Sequence, residues 1–288
     1  MSDIAVVMRS HNDLPVLADT LYGLARQRQA FTLVSFDNAS TDGSREAVEL
    51  MAATQYHVPA GAYVPGRVLN DAMRATTSDI VVFLNADCVP ADEAWLSQLV
   101  AAFDDPTVAA AFSCQRPRVD CDPFQTRDTN ATYGDGRLQA RWKHCFSMAA
   151  SAIRRSAWLE APFREDLQYS EDIDWSWRAR QRGHRIQYVA GSAVYHSHNY
   201  SLAQLYRRHV GEGRAEAAIF EWSAWECSFA RYTLLPWMRQ VLADWRLALR
   251  TGALAVLAQA PVYRAVQAAG RREGFRLGRM SLENGRTQ

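Results

Sequence analysis

The chain has 288 residues, 48% of them hydrophobic and 22% charged, with a formal net charge of +1. Those values are ordinary for a folding globular chain, with room for one large α/β domain plus an appendage or for two small domains. So even a charge balance gives no global sign of a nucleic-acid partner, and any anion site must be local.

The basic charge is carried almost wholly by arginine, Lys143 being the only lysine. No charged-then-apolar leader opens the chain and no apolar run reaches about eighteen residues, so neither export nor a membrane span is expected. Cys88, Cys114, Cys121, Cys145 and Cys227 are odd in number and lack metal-ligand spacing. They fit reduced thiols in a cytoplasm, several of them packed in the core as small hydrophobes.

Ile4 to Met8 is a β-branched-rich run that breaks into Arg9-Ser10-His11-Asn12-Asp13, and a helical pattern follows from Leu14 to about Arg28. Phe31 to Phe36 repeats the scheme and ends in Asp37-Asn38-Ala39-Ser40-Thr41-Asp42-Gly43-Ser44, with Asp42 or Ser44 as the expected helix cap. A loop broken by Pro and Gly, Val58 to Gly66, leads to a helix near Arg67 to Ala75. The most telling run comes next. After Asp79, Ile80 to Leu84 is apolar and of strand length, and it stops abruptly in Asn85-Ala86-Asp87, as a buried parallel strand delivering polar side chains at its carboxyl end would. In open α/β sheets ligands bind at such ends. A helix from about Ala91 to Phe103 and an apolar run from Val108 to Cys114 continue the alternation, which indicates a mostly parallel sheet with helices on both faces.

Gln115 to Gly136 loses periodicity and reads as a long functional loop. Phe146 to Ile153 resembles a further strand. Ser170 is a natural cap for a helix opening Glu171-Asp172-Ile173-Asp174-Trp175 and ending near Gly183. Short strands are expected at Ile186 to Val189 and Ala193 to Tyr195, the second running into His196-Ser197-His198. From Ser201 onward the pattern is helical and rich in aromatics, with Pro261 expected to interrupt the last helix. These helices read as an appendage whose spare apolar faces suit a second copy or a membrane surface.

Four polar clusters therefore stand at strand ends or helix starts: Arg9 to Asn12, Asp37 to Asp42, Asn85 to Asp87, and Glu171-Asp172 with His196 and His198. Each alone has a bland explanation, such as acidic residues complementing a helix dipole or two half-exposed histidines on one side of a strand. In this order, with Asn70 before the third strand, they resemble the inverting glycosyltransferases of family 2, over nearly the first 210 residues. The resemblance implies an α/β GT-A fold, a Rossmann-like mostly parallel sheet over residues 1–200, with a C-terminal helical extension over 201–288. Within that family, Gln115 to Arg118 and Tyr195 to Tyr200 look most like bacterial rhamnosyltransferase-type enzymes of surface-polysaccharide assembly.

Several roles are implied by the same resemblance. Asp172 is the base that deprotonates an acceptor hydroxyl, ionised at neutral pH because its helix start holds its pKa down, and Glu171 orients it or the acceptor. Asp87, with His196 and His198, would hold the Mn²⁺ or Mg²⁺ that offsets the charge of the departing diphosphate, a His ligand favouring Mn²⁺. Asn85 stands where the family's first Asp is usual; it can bond a ribose hydroxyl but adds no charge. Asp37 would accept from the base of a uridine- or thymidine-diphosphate sugar, His11 would stack on that base, and Arg9 and Arg67 would meet the nucleotide or diphosphate. Gln115, Arg116, Trp175 and Arg178 would line the acceptor side, the acceptor being a growing, lipid-linked glycan at the cytoplasmic membrane face. A competing expectation is an inert nucleotide-sugar or carbohydrate binder, favoured by Asn85 and by Met148 and Ala149. A dinucleotide-dependent oxidoreductase is excluded, since Arg9 to Leu14 holds none of the glycines its phosphate turn requires.

Overall fold

The computed structural model describes residues 4–135 and 146–286. Lys143 and Cys145 lie outside them. The chain divides into two compact units, one of Met1–Val119, Thr129–Leu167 and Glu171–Ser197, the other of Asp120–Asp128, Gln168–Ser170 and His198–Gln288.

The first unit is built on an eight-stranded mixed, mostly parallel sheet. Its elements in chain order are β1 (Ala5–Ser10), α1 (Leu14–Ala25), β2 (Thr32–Asn38), α2 (Ser44–Glu49), β3 (Thr54–Val58), α3 (Pro65–Ala75), β4 (Ile80–Asn85) and β5 (Val89–Pro90). They continue with α4 (Trp95–Ala101), β6 (Val108–Arg116), β7 (Ala150–Arg154), α6 (Arg155–Glu160), α7 (Glu171–Gln181) and β8 (Arg185–Tyr195). A further helix, α5 (Pro123–Thr132), falls between β6 and β7.

Strand order is β3-β2-β1-β4-β7-β6-β8-β5. The chain moves outward from β1 through β2 to β3 and then crosses back to place β4 on the other side of β1, all in parallel pairs. The crevice beyond the carboxyl ends of β1 and β4 is therefore a topological switch point, where an open sheet admits a ligand. Alternation along these strands builds a core on each face. Val6, Met8, Val82 and Leu84 pack with Leu17, Leu24, Trp95 and Leu99 on one side, while Val7, Val81 and Phe83 pack with Leu69, Met73 and Trp175 on the other.

Several expectations are corrected. Thr54 to Val58 is a strand, mostly exposed, whose weak apolar pattern hid it among loop residues. β8 is one strand with a register shift opposite Ser113 and Cys114, rather than two. The helix α5 lies inside the expected loop. Pro123 opens it with Asp122 Oδ1 accepting from the N–H groups of Phe124 and Gln125 at 2.8 and 2.9 Å, a capping arrangement that Asp-Pro could have signalled. Gly43 (φ 98), rather than Asp42 or Ser44, caps α2, and Ser170 (φ 59) is left-handed instead of taking the extended backbone of an N-cap.

The second unit is helical, with α8 (Leu202–Ile219), a π-helical turn at Phe229–Leu234, α9 (Leu235–Thr251) and α10 (Ala255–Arg286). Pro261 does not break α10. A proline there leaves the carbonyl of Leu257 without its helical donor, and the Trp245 indole N–H donates to that carbonyl at 2.9 Å. At its centre Arg264 is buried and bonds both Asp244 (2.7 Å) and Asp128 (2.6 Å). Among the described residues no helix is long and apolar enough to cross a membrane.

Candidate active site

Four strands of the first unit converge on one edge. β4 ends in Asn85, and because β7 pairs with it antiparallel, Leu84 opposite Ala150, the residues leading into β7 run alongside the Asn85 end. The Asn85 N–H donates to Ala149 O at 2.8 Å. β5 pairs Val89 with Tyr195, which brings the end of β8 to the same place. His196 follows at once, its N–H donating to Arg116 O at 2.9 Å.

This pairing sets His196 Nε2 3.4 Å from Asp87 Oδ2, both side chains mostly buried. The other ring nitrogen, Nδ1, lies 2.8 Å from Gln115 Oε1. Gln115 is itself oriented, because its Nε2 donates to Ser147 Oγ at 2.8 Å, leaving the amide oxygen for histidine. An amide oxygen can only accept, so Nδ1 carries a proton and Nε2 is the ring nitrogen turned to Asp87, free to be a ligand in the neutral imidazole. A carboxylate and an imidazole nitrogen held in this way suit a divalent cation of the Mn²⁺ type. Gln115 was expected on the acceptor side; at 6% exposure it is instead a support for His196. His198 belongs to the second unit, where its ring stacks on Tyr200 at 5.3 Å.

Arg9 occupies the middle of the edge. Its NH2 donates to Asn85 Oδ1 at 2.8 Å and to Met148 O at 3.3 Å, and its NH1 lies 3.8 Å from Glu171 Oε1. Burial works against its charge, but Tyr63, Glu171 and Asp172 outweigh that and raise its pKa. Arg9 is thus a buried clasp between strand ends and the acidic helix, not the diphosphate contact expected of it. It also occupies the Asn85 oxygen.

Asp172 stands in the first turn of α7. Its Oδ2 accepts from the Met148 N–H at 3.3 Å and Oδ1 from the Ile173 N–H at 2.8 Å. Burial pushes its pKa up, against these two N–H groups and the charge of Arg9. The expectation that the helix start would hold it down is corrected, since desolvation wins. The segment between α6 and α7 is held by a staple that motif reading left without a role: Asn70 donates to Phe163 O and Glu165 Oε1 and accepts from the Trp158 indole and the Phe163 N–H, all within 2.9 to 3.0 Å.

Other expected residues are used differently. Trp175 is fully buried, its indole bonded to Ala161 O and its ring packed on Phe146 and Phe163, so it shows no face to a sugar. Arg178 binds Asp174 and Pro162 O. Arg67 is half exposed and 3.6 Å from Glu165. Arg116 is exposed at the end of β6. Asp37 is at the end of β2 as expected but has no exposed surface, being held by Ser10 Oγ, the Ser40 N–H and His57 Nδ1 at 3.1 to 3.3 Å. His57, itself half exposed, stands between Asp37 Oδ2 and solvent. His57 escaped notice because its strand did. His11 is exposed beside Asn38 O, and Asp13 next to it is pushed up to about 6, mainly by burial and in part by Asp87. Cys88 is buried and its thiol pKa raised well above the usual range by desolvation, which leaves it an inert neighbour.

Residues 5–161 match glycosyl transferase family 2. An O-antigen chain rhamnosyltransferase of Salmonella anatum is 29% identical over 196 residues, 64% of this chain and 62% of that protein. The chain thus spans under two thirds of the length of this curated relative. A pre-mycofactocin glycosyltransferase of Mycobacterium tuberculosis is 26% identical over 54% of this chain and 34% of its own. Among solved structures, a mannosyltransferase of Pyrobaculum calidifontis in complex with GDP-mannose and Mn²⁺ superposes with a TM-score of 0.65 at 19% identity, covering 98% of this chain and 90% of the other. Glucosyl-3-phosphoglycerate synthase of Mycobacterium tuberculosis, with Mn²⁺, UDP and phosphoglyceric acid, gives 0.58 at 17% identity over 77% of this chain and 80% of the other. At such identities the structural likeness carries the fold, which is GT-A-like.

Proposed function

The chain belongs to glycosyl transferase family 2, and on that premise we propose that it is an inverting, metal-dependent glycosyltransferase. Residues 1–200 form its transferase domain and 201–288 a helical extension. It moves a sugar, with L-rhamnose as the candidate, from a nucleotide diphosphate to a hydroxyl of a growing, lipid-linked glycan. The rhamnosyl assignment is supported only by the names of relatives at 28 to 29% identity. The observation that carries the reading is the oriented pair of Asp87 and His196, with Gln115 fixing the tautomer.

Asp87 and His196 would hold the cation, which supplies positive charge against the leaving diphosphate. Asp172 takes the proton of the acceptor hydroxyl as that oxygen bonds to the anomeric carbon and the bond from carbon to the diphosphate oxygen breaks on the opposite face. Its raised pKa makes it the stronger base once ionised, so turnover falls as pH drops through a value above the ordinary carboxylate range. The charge of Arg9 works against that rise without cancelling it.

The test is a thermal-shift panel of uridine, thymidine and guanosine diphosphates and their sugars, each with Mn²⁺, with Mg²⁺ and with chelator. A matching donor at a hundred times its Kd should stabilise the fold by about 2.7 kcal/mol, and only with metal. Asp172→Asn should retain that shift within a few-fold in affinity and lose transfer. Silence across the panel from folded protein would sink the donor assignment. Binding without turnover in the native chain, given a range of acceptors, would point to the inert binder.

A further inference from the structure

The second unit carries a helix face that its own packing leaves uncovered. α9 buries Val241, Asp244 and Ala248, which lie on one side of the helix. On the flank next to it Leu235, Met238, Leu242, Trp245 and Leu249 recur at intervals of three and four residues and are 37 to 68% exposed. Beside this apolar stripe, at 100° per residue, runs a row of three exposed arginines, Arg239, Arg246 and Arg250. Trp245 is anchored through its indole N–H to Leu257 O, so its ring stays at the surface with one edge tied inward.

The stretch of chain that carries this face has exposed charge of one sign. Residues 229–264 contain a single acidic residue, Asp244. It is 2% exposed and held by Arg264 at 2.7 Å and Arg127 at 3.1 Å. The exposed charge of the stretch is therefore arginine alone. A two-fold contact between copies would set these arginines against their own kind, since such a contact joins one patch to itself. An anionic lipid surface satisfies both features at once: acyl chains take the leucines and the indole, and headgroup phosphates take the guanidinium row.

We propose that α9 docks the protein in plane on an anionic membrane surface. The proposal stands on the second unit alone and is independent of the transferase reading. The experiment is co-sedimentation of the full chain with vesicles of phosphatidylcholine alone and of phosphatidylcholine mixed equally with phosphatidylglycerol, at low and high salt. Binding to the mixed vesicles, at least tenfold tighter than to phosphatidylcholine and weakened by salt, is expected. Replacing Arg239, Arg246 and Arg250 by Gln should lower the partition about a hundredfold, each arginine near such a surface being worth roughly fivefold. Leu242→Glu with Leu249→Glu should abolish binding at either salt, with the thermal midpoint unchanged because both side chains are exposed. The idea is overturned if the native chain stays in the supernatant with anionic vesicles, or if both variants bind as it does. It is equally overturned if light scattering shows a dimer that the leucine variant dissolves.

Discussion

Gln115 illustrates what a single side chain decides. One amide carries two directed bonds, donating to Ser147 and accepting from His196, and this fixes which imidazole nitrogen faces Asp87. Partners of this kind are worth about ten- to hundredfold in metal affinity. Gln115→Leu keeps the volume but removes the acceptor, so Mn²⁺ affinity measured by calorimetry should fall by about that factor, while Gln115→Glu, which still accepts, should recover most of it. Equal affinity for all three would remove Gln115 from the site. The Gln was visible in the sequence, but its role was not, because the bond spans 81 residues. Trp175 teaches the converse. A tryptophan near an acidic helix start has the composition of a sugar platform, and only packing against Phe146 and Phe163 shows it to be core.

At the scale of elements, helix pairing in the second unit depends on absent side chains. A Cβ at Gly274 would overlap the carbonyl of Val210, and one at Gly213 the carbonyl of Arg271, so α8 and α10 approach backbone to backbone. Gly274→Val should therefore cost about 3 kcal/mol, the upper part of the range for overpacking, seen as a lowered urea midpoint. An unchanged midpoint would mean that the two helices do not meet there. Glycines scattered along a helical pattern read as weak helix formers until the facing helix is known. Strands β1, β2 and β4 were legible from their apolar runs and polar ends, whereas β3, half exposed, and α5, dependent on Phe124 stacking on Tyr263 at 4.3 Å, were not.

For the molecule as a whole, the carboxylates at the sheet edge couple folding to pH. Asp13 is raised in the folded chain to about 6, chiefly by burial, against about 3.9 in an unfolded one. The folded state then holds a proton that the unfolded state releases, so this group's contribution falls as pH rises from about 4 through about 6. Asp13→Asn cannot ionise and can still accept from the His11 N–H. In chelator, its stability relative to the native chain should improve by about 1 to 2 kcal/mol across that window, a full shift being discounted for the group's partial exposure. Parallel pH profiles would mean that Asp13 ionises normally in the fold.

What the sequence determined by itself was the alternation of buried strands and helices and the polar clusters where the first, second and fourth strands stop. Both follow from local physics: apolar runs end where side chains must meet water or ligand, and the order of the clusters carried the family. What only the tertiary structure decided was which cluster members face one another. Strand pairing brought His196 to Asp87 and set Arg9 as a clasp on Asn85 and Glu171, while burial raised Asp172 where the helix start alone would have lowered it. Register and desolvation depend on residues far apart in the chain, so no local pattern records them.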